Sequence, residues 1–136
     1  MDLFTAMELA AKGMKAQGVR MRVISENLAN AETTGKAPGQ RPYQRQVVTF
    51  KNELNRAQGT REVEVDKIMP DNSDFILKYD PNHPAADKKG YVKMPNVNPL
   101  IEMMDMREAQ RSYEANLGVI DMARSMLMRT IDLLRS

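Results

Sequence analysis

A chain of 136 residues has the length of one domain. Its net charge of +2, with acids and bases interspersed, gives no case for nucleic acid or an anionic membrane surface. The absence of cysteine excludes disulfide frameworks, thiol catalysis and cysteine-ligated metals. The opening Met1-Asp2-Leu3-Phe4 has no basic region and leads into no unbroken apolar run, so neither a cleaved secretory signal nor a membrane span is expected.

The first predicted element is a helix. Leu3, Met7, Ala10, Met14, Gln17, Met21, Ile24, Leu28 and Ala31 recur in alternating four- and three-residue steps, a heptad seam. Thr33-Thr34-Gly35 is expected to end it through β-branching and a C-cap glycine. The seam is weak. Ala10, Gln17 and Ala31 bury little, and Gly13 and Gly18 each cost about 1 kcal/mol relative to alanine in a helix interior. In isolation such a helix is marginal.

Between Gly35 and Asn98 the texture changes, because six of the seven prolines fall there. Short strand-like runs lie between the breakers: Tyr43 to Phe50, Arg61 to Ile68, Phe75 to Tyr79 and Tyr91 to Met94, with a helical turn over Asn52 to Gln58. A small sheet or hairpin set fits them. Five of the seven aromatics are here, so any core of large side chains sits in this region and is small.

Asn98-Pro99 is a helix start, an amide that accepts from a free backbone N–H followed by a residue with no N–H to orphan. From there to Ser136 no further proline appears, and the helix would run about 55 Å at ~1.5 Å per residue. Met106, Tyr113, Ile120, Leu127 and Leu134 form one heptad row, and Met103, Gln110, Leu117, Arg124 and Ile131 a second. The expected fold is therefore α+β and mainly α. Long N- and C-terminal helices (1–35 and 99–136) pair like a coiled coil into one helical domain, with a small β-rich insertion (36–98) between them. Ten of the twelve methionines lie in the helical ends, and their unbranched, polarizable side chains suit contacts that differ from one neighbour to the next.

Asp80, His83 and Asp87 share a Pro-rich loop with Asp71 and Asp74 upstream. A metal or hydrolytic site would need these ligands to converge, whereas Asp and Asn in Pro-rich loops usually bond the local backbone. No phosphate-cradling loop, nucleophile elbow or zinc-helix motif occurs, so no catalytic residue, metal or cofactor is expected. Arg107, Arg111, Arg124, Arg129 and Arg135 alternate with Asp105, Glu108, Glu114, Asp121 and Asp132, as on an exposed helix face laced with ion pairs. Asn27 and Asn30 lie beside Leu28 and Ala31 of the seam, where two amides either cap the helix end or bond a neighbour's backbone and fix register.

The stretch Asn27-Leu28-Ala29-Asn30-Ala31-Glu32-Thr33-Thr34-Gly35 closely resembles the N-terminal signature of bacterial flagellar rod and hook proteins. Pro42-Tyr43-Gln44-Arg45 follows at the spacing of the short proximal-rod branch of that family. Tyr79-Asp80-Pro81-Asn82-His83-Pro84, Asp87, Gly90-Tyr91-Val92 and Pro95-Asn96-Val97-Asn98-Pro99 look like the same branch's loop. Glu108-Ala109, Arg111 to Asn116 and Met122 to Met126 resemble the family's C-terminal helix. Lys36-Ala37-Pro38 stands where hook and distal-rod members usually carry an aromatic residue, and the insertion is too short for their outer domains.

The resemblance implies a structural subunit, not an enzyme, exported through the flagellar type III apparatus without a cleaved signal and assembled in the periplasmic rod of the basal body. Its partners would be other rod proteins, copies of itself and the membrane-ring and export-gate junction at the rod base, with no nucleic acid and no membrane insertion. The expected assembly interface is Leu3, Met7, Met14, Met21, Ile24, Asn27, Leu28, Asn30, Met103, Met106, Tyr113, Leu117, Ile120, Leu127, Ile131 and Leu134. The rival from another class is a soluble cytoplasmic helical-bundle regulator or nucleic-acid-binding protein.

Overall fold

The computed structural model describes residues 2–136. Two long helices, α1 (Leu3–Ala29) and α2 (Pro99–Arg135), flank four strands: β1 (Gln46–Asn55), β2 (Thr60–Pro70), β3 (Ile76–Tyr79) and β4 (Tyr91–Met94). β1 pairs with β2, and β3 with β4, as two separate two-stranded sheets. The expected α+β class, two terminal helices around a small antiparallel insertion, is the class observed.

The chain divides into two compact units, one of Met1–Met21, Thr49–Lys67 and Arg107–Ser136, the other of Arg22–Val48 and Ile68–Met106. In the first unit Asp2 starts α1, its carboxylate accepting the Thr5 N–H at 2.7 Å. The helix pair is antiparallel: Gly13 faces Asn116, Arg20 reaches Glu108 at 3.4 Å, and Leu3, Phe4 and Ala6 surround Leu127. Lys12 on another face of α1 bonds Glu62 of β2, and Gln58 in the β1–β2 turn donates to Glu8 at 2.8 Å.

Of the first row, Met106, Tyr113, Ile120 and Leu127 are half-buried, as expected for the seam, whereas Leu134 at its end is exposed. The second row is not the expected one. Met103, Gln110, Leu117, Arg124 and Ile131 are exposed, and the buried side is Glu102, Ala109 and Ala123, with half-buried Asn116 between them. The reason is distance. Among the described residues the fully buried apolar side chains of the two helices are four alanines, one valine and one isoleucine (Ala10, Ala16, Val23, Ile24, Ala109, Ala123), so the helices approach on small side chains and leave Met103, Leu117 and Ile131 outward.

Gly13 belongs to this close approach, since a Cβ there would lie 2.9 Å from the Asn116 amide nitrogen. Two other expectations about glycine and turns are corrected. Gly35 is not the helix cap, for α1 ends at Ala29, where the Asn30 amide donates to the Glu26 carbonyl at 2.8 Å; Gly35 instead lets Gln40 pass, whose Cβ would be 2.7 Å away. The helical turn over Asn52 to Gln58 is strand as far as Asn55, because Gly59 at φ 65 closes a hairpin and Asn55 bonds Ala57 and Glu62.

Gly13→Ala tests the close packing. In the parent it is expected to destabilise, because the Asn116 amide must shift. In an Asn116→Ala background the same change is expected to stabilise by about 1 kcal/mol, from helix propensity alone. Urea unfolding followed by circular dichroism reads both. An equal gain in the two backgrounds would show that no such contact exists.

Candidate functional site: a saturated polar junction and an uncovered helix face

Asn27 is 1% exposed and sits at the centre of the second unit. Its amide nitrogen donates to the Gln46 carbonyl at 2.8 Å, and its oxygen accepts the Gln46 N–H at 2.9 Å, so one side chain meets both backbone groups as a neighbouring strand would. The oxygen also accepts the Tyr43 hydroxyl at 2.8 Å, and the nitrogen donates to Glu102 at 3.3 Å. Every hydrogen-bonding position of the amide is used inside its own chain. The register it fixes is thus that of α1, β1 and α2 with each other. Burial pushes the Tyr43 phenol up, with Glu26 and Glu102 adding to the shift, which keeps it a donor.

Glu102, equally buried, is met by the Arg45 guanidinium, which also reaches Asp71 at 3.1 Å and Asp105 at 3.8 Å. Sitting in the first turn of α2, Glu102 is further favoured by the helix dipole. Arg45 donates its backbone N–H to Asn96 at 2.8 Å, and its carbonyl accepts from Asp71 at 2.8 Å. These bonds, with Tyr43 N–H to Thr33, occupy the backbone of 43–45, which is why the strand expected from Tyr43 begins only at Gln46. Asn96 in turn donates to the carbonyls of Asp71 and Ser73 and to the Ser73 hydroxyl. The Ser73 N–H, more than Arg45, holds the Asp71 carboxyl below its usual range.

The signature loop is a closed hairpin in the same unit. Tyr79 pairs with Tyr91, their rings edge to face at 5.3 Å, and Asp80 N–H donates to the Gly90 carbonyl at 2.9 Å. Gly90 has φ 84, and a Cβ there would meet Tyr79 at 2.9 Å and Pro81 at 3.2 Å. Asp87 accepts the N–H groups of Tyr91 and Lys89, which lower its carboxyl from the ordinary range. His83 Nδ1 accepts the Ala85 N–H at 3.0 Å while Nε2 lies 3.3 Å from the Thr34 hydroxyl. The His83 and Asp87 side chains are therefore committed to nearby backbone N–H groups and the Thr34 hydroxyl, not aimed at a common point. Pro95 is buried, Pro84 exposed, and Asn98 caps α2 through the Leu100 N–H at 3.1 Å.

The expected interface residues separate into groups. Ile24 and Asn27 are buried in their own chain; Leu3, Met7, Met14, Met21, Leu28, Asn30, Met106, Tyr113, Ile120 and Leu127 are half-covered; Met103, Leu117, Ile131 and Leu134 are exposed. Asn30 acts as the cap already described, and it also accepts the Thr33 hydroxyl at 3.1 Å. What the sequence reading missed is a second apolar face on α2. Within the first unit Val119, Met122, Met126 and Leu133 are exposed and recur at helical spacing.

Comparison with known proteins bears on this arrangement. A family model described as "Flagella basal body rod protein" matches residues 7–35, and one described as "Flagellar basal body rod FlgEFG protein C-terminal" matches residues 88–133. The class is thus that of flagellar rod proteins, matched at both helical ends. The flagellar basal-body rod protein FlgC of Agrobacterium fabrum is 52% identical over 134 residues, covering 98% of this chain and 96% of that protein. FlgC of Bacillus subtilis is 39% identical over 148 residues, with 98% and 99% covered. FlgC of Salmonella typhimurium is 37% identical over 133 residues, with 98% of each covered. The chain belongs to the FlgC family of flagellar basal-body rod proteins, a family of structural rod subunits.

Two outcomes follow from the junction. Asn27→Ala strands the Gln46 backbone pair and the Tyr43 hydroxyl and is expected to cost about 3 kcal/mol or more. Asn27→Asp, of the same shape, should do no better, since it loses both donors and sets a carboxylate against Glu102. A measured loss below about 1 kcal/mol would refute the junction's role. The second outcome concerns pH. The lowered carboxyls of Asp71, Asp87 and Glu62 contribute stability that is present above the ordinary carboxylate range and lost as pH falls through their folded values. Thermal melts should be level near neutrality and drop below about pH 4.

Proposed function

We propose that this chain is a building block of the proximal rod, polymerising through its terminal helices into the drive shaft that transmits torque and encloses the export channel. Residues 1–35 and 99–136 form its axial helical part, and 36–98 the insertion. Its neighbours are other rod proteins and copies of itself, with the membrane-ring and export-gate junction at the rod base. The chain reaches the periplasm through the flagellar type III apparatus without a cleaved signal, and its part is mechanical rather than catalytic.

The observation that carries this reading is the inversion of side-chain size on the helices. Alanines close the pair inside, while Met122, Met126 and Leu133 stand 67%, 51% and 76% exposed on the flank of α2 beside them. Large apolar residues left in water on a helix contribute nothing to the lone molecule; covered by a neighbour, each contributes about 1.5–3 kcal/mol. Among the described residues no helix is long and apolar enough to cross a membrane, so a bilayer-spanning role for this face has no support. A self-sufficient cytoplasmic bundle would have turned these residues inward.

Met122→Glu with Met126→Glu distinguishes the two. Both residues are more than half exposed in their own chain, so the helical circular dichroism should be unchanged, while incorporation into isolated basal bodies and swimming should be lost. Normal assembly of the doubly substituted chain would count against the terminal helices as the polymerising surface.

A further inference from the structure

Two glycines in the first unit have no explanation within the chain. Gly18 in α1 and Gly118 in α2 both lie inside helices, where glycine is the costliest residue after proline, yet a Cβ at either would meet nothing within 4 Å. Gly13 shows what a helical glycine does when its own chain requires it, with Asn116 at 2.9 Å. The empty space beside Gly18 and Gly118 is room for something else.

The residues around these glycines form two stripes of matching step. Along one side of α1 run Phe4, Glu8, Ala11 and Lys15, all exposed, and half-buried Gly18, at intervals of four, three, four and three. Along the exposed side of α2, read backwards, Leu133, Arg129, Met126, Met122 and Val119 have the same intervals. Set antiparallel, the stripes complement each other at every step. Phe4, 66% exposed, meets Leu133. Glu8, still half-exposed although Gln58 and Lys12 of its own chain reach it, meets Arg129, and Lys15 can lay its stem over Met122 and reach Asp121; neither Arg129 nor Asp121 has an ion pair among the described residues. Ala11 faces Met126, small against large. Gly18 comes opposite Gly118 and Val119, where the absence of two Cβ atoms lets the helices close.

We infer that the exposed stripe of α1 in one copy docks on the exposed stripe of α2 in a second copy, in this register, with Gly18 and Gly118 at the point of closest approach. This deepens the rod-subunit reading and rests on it. Because α1 and α2 are antiparallel within a copy, an antiparallel contact between copies leaves all copies pointing the same way. The two stripes are different surfaces, so the contact is heterologous and repeats from copy to copy, as a ring or helical array requires.

The chain's lack of cysteine makes the register directly readable. Ala11→Cys and Met126→Cys chains, co-expressed and oxidised in isolated basal bodies, are expected to give disulfide-linked dimers. Ala11→Cys with Ala115→Cys, three turns further along the same stripe, is expected to give none. Gly18→Leu should leave the isolated chain at least as stable, since its side chain has open space, and should abolish incorporation. Dimers from the mismatched pair, no dimers in basal bodies that contain both variants, linkage of Ala11→Cys to a different protein, or normal assembly of Gly18→Leu would each overturn the inference while leaving the rod role intact. Absence of the unmodified chain from basal bodies would overturn the rod role itself.

Discussion

One amide organises half of this molecule. Asn27 has two donors and two acceptor positions, all filled, and the partners come from an adjoining strand, a tyrosine and the first turn of α2. A buried polar group is costly unless satisfied, so a fully satisfied one selects a single arrangement over its near alternatives. A slip of β1 by one residue would offer Asn27 the wrong backbone groups, and a rotation of α2 would withdraw Glu102. Arg45 and Asn96 extend the same logic outward, tying the 71–73 turn to the chain ahead of β1. Position here is fixed by hydrogen-bond bookkeeping where apolar mass is scarce.

That scarcity is the other side of the design. The fully buried apolar residues are small, and the large ones are displayed. A conventional domain of this length would do the reverse, gaining its stability from side chains of the size of Leu133 or Met122. Here the inside of the helix pair is optimised for proximity, with alanine and glycine where two backbones meet, and the outside for contact. Methionine on that outside can pack against surfaces that differ from site to site.

The sequence made the architecture legible and part of the site illegible, for definite reasons. Heptad steps found both helices and the row Met106, Tyr113, Ile120, Leu127, because that row is apolar and periodic. They misplaced the companion row by one residue. A pattern rule prefers Met103, Leu117 and Ile131 to Glu102, Asn116 and Ala123, although close-packed helices prefer the smaller set. Asn27 stood out as periodic and polar, but whether it bonded its own chain or a neighbour could not be decided before Gln46 and Tyr43 were placed beside it. Arg45 and Glu102 carry no local signal; 57 residues apart, they become partners only in the fold. Gly35 was read as a cap because glycines after helices commonly are, and its actual use, letting Gln40 pass, depends on a loop no short-range rule describes.

The helix pair also has a consequence in time. Its contacts join residues far apart in sequence, with Arg20 and Glu108 separated by 88 positions. A ribosome that has made the first hundred residues has supplied α1 with the β1 and β2 partners of Lys12 and Asn27 but not with the helix it pairs with. Loop closure over such a span is slow compared with local helix formation, so the pair forms late. Throughout synthesis the α2-facing side of α1 stays open to whichever protein can bind an amphipathic helix, and the order in which the chain is made sets a delay before folding can finish.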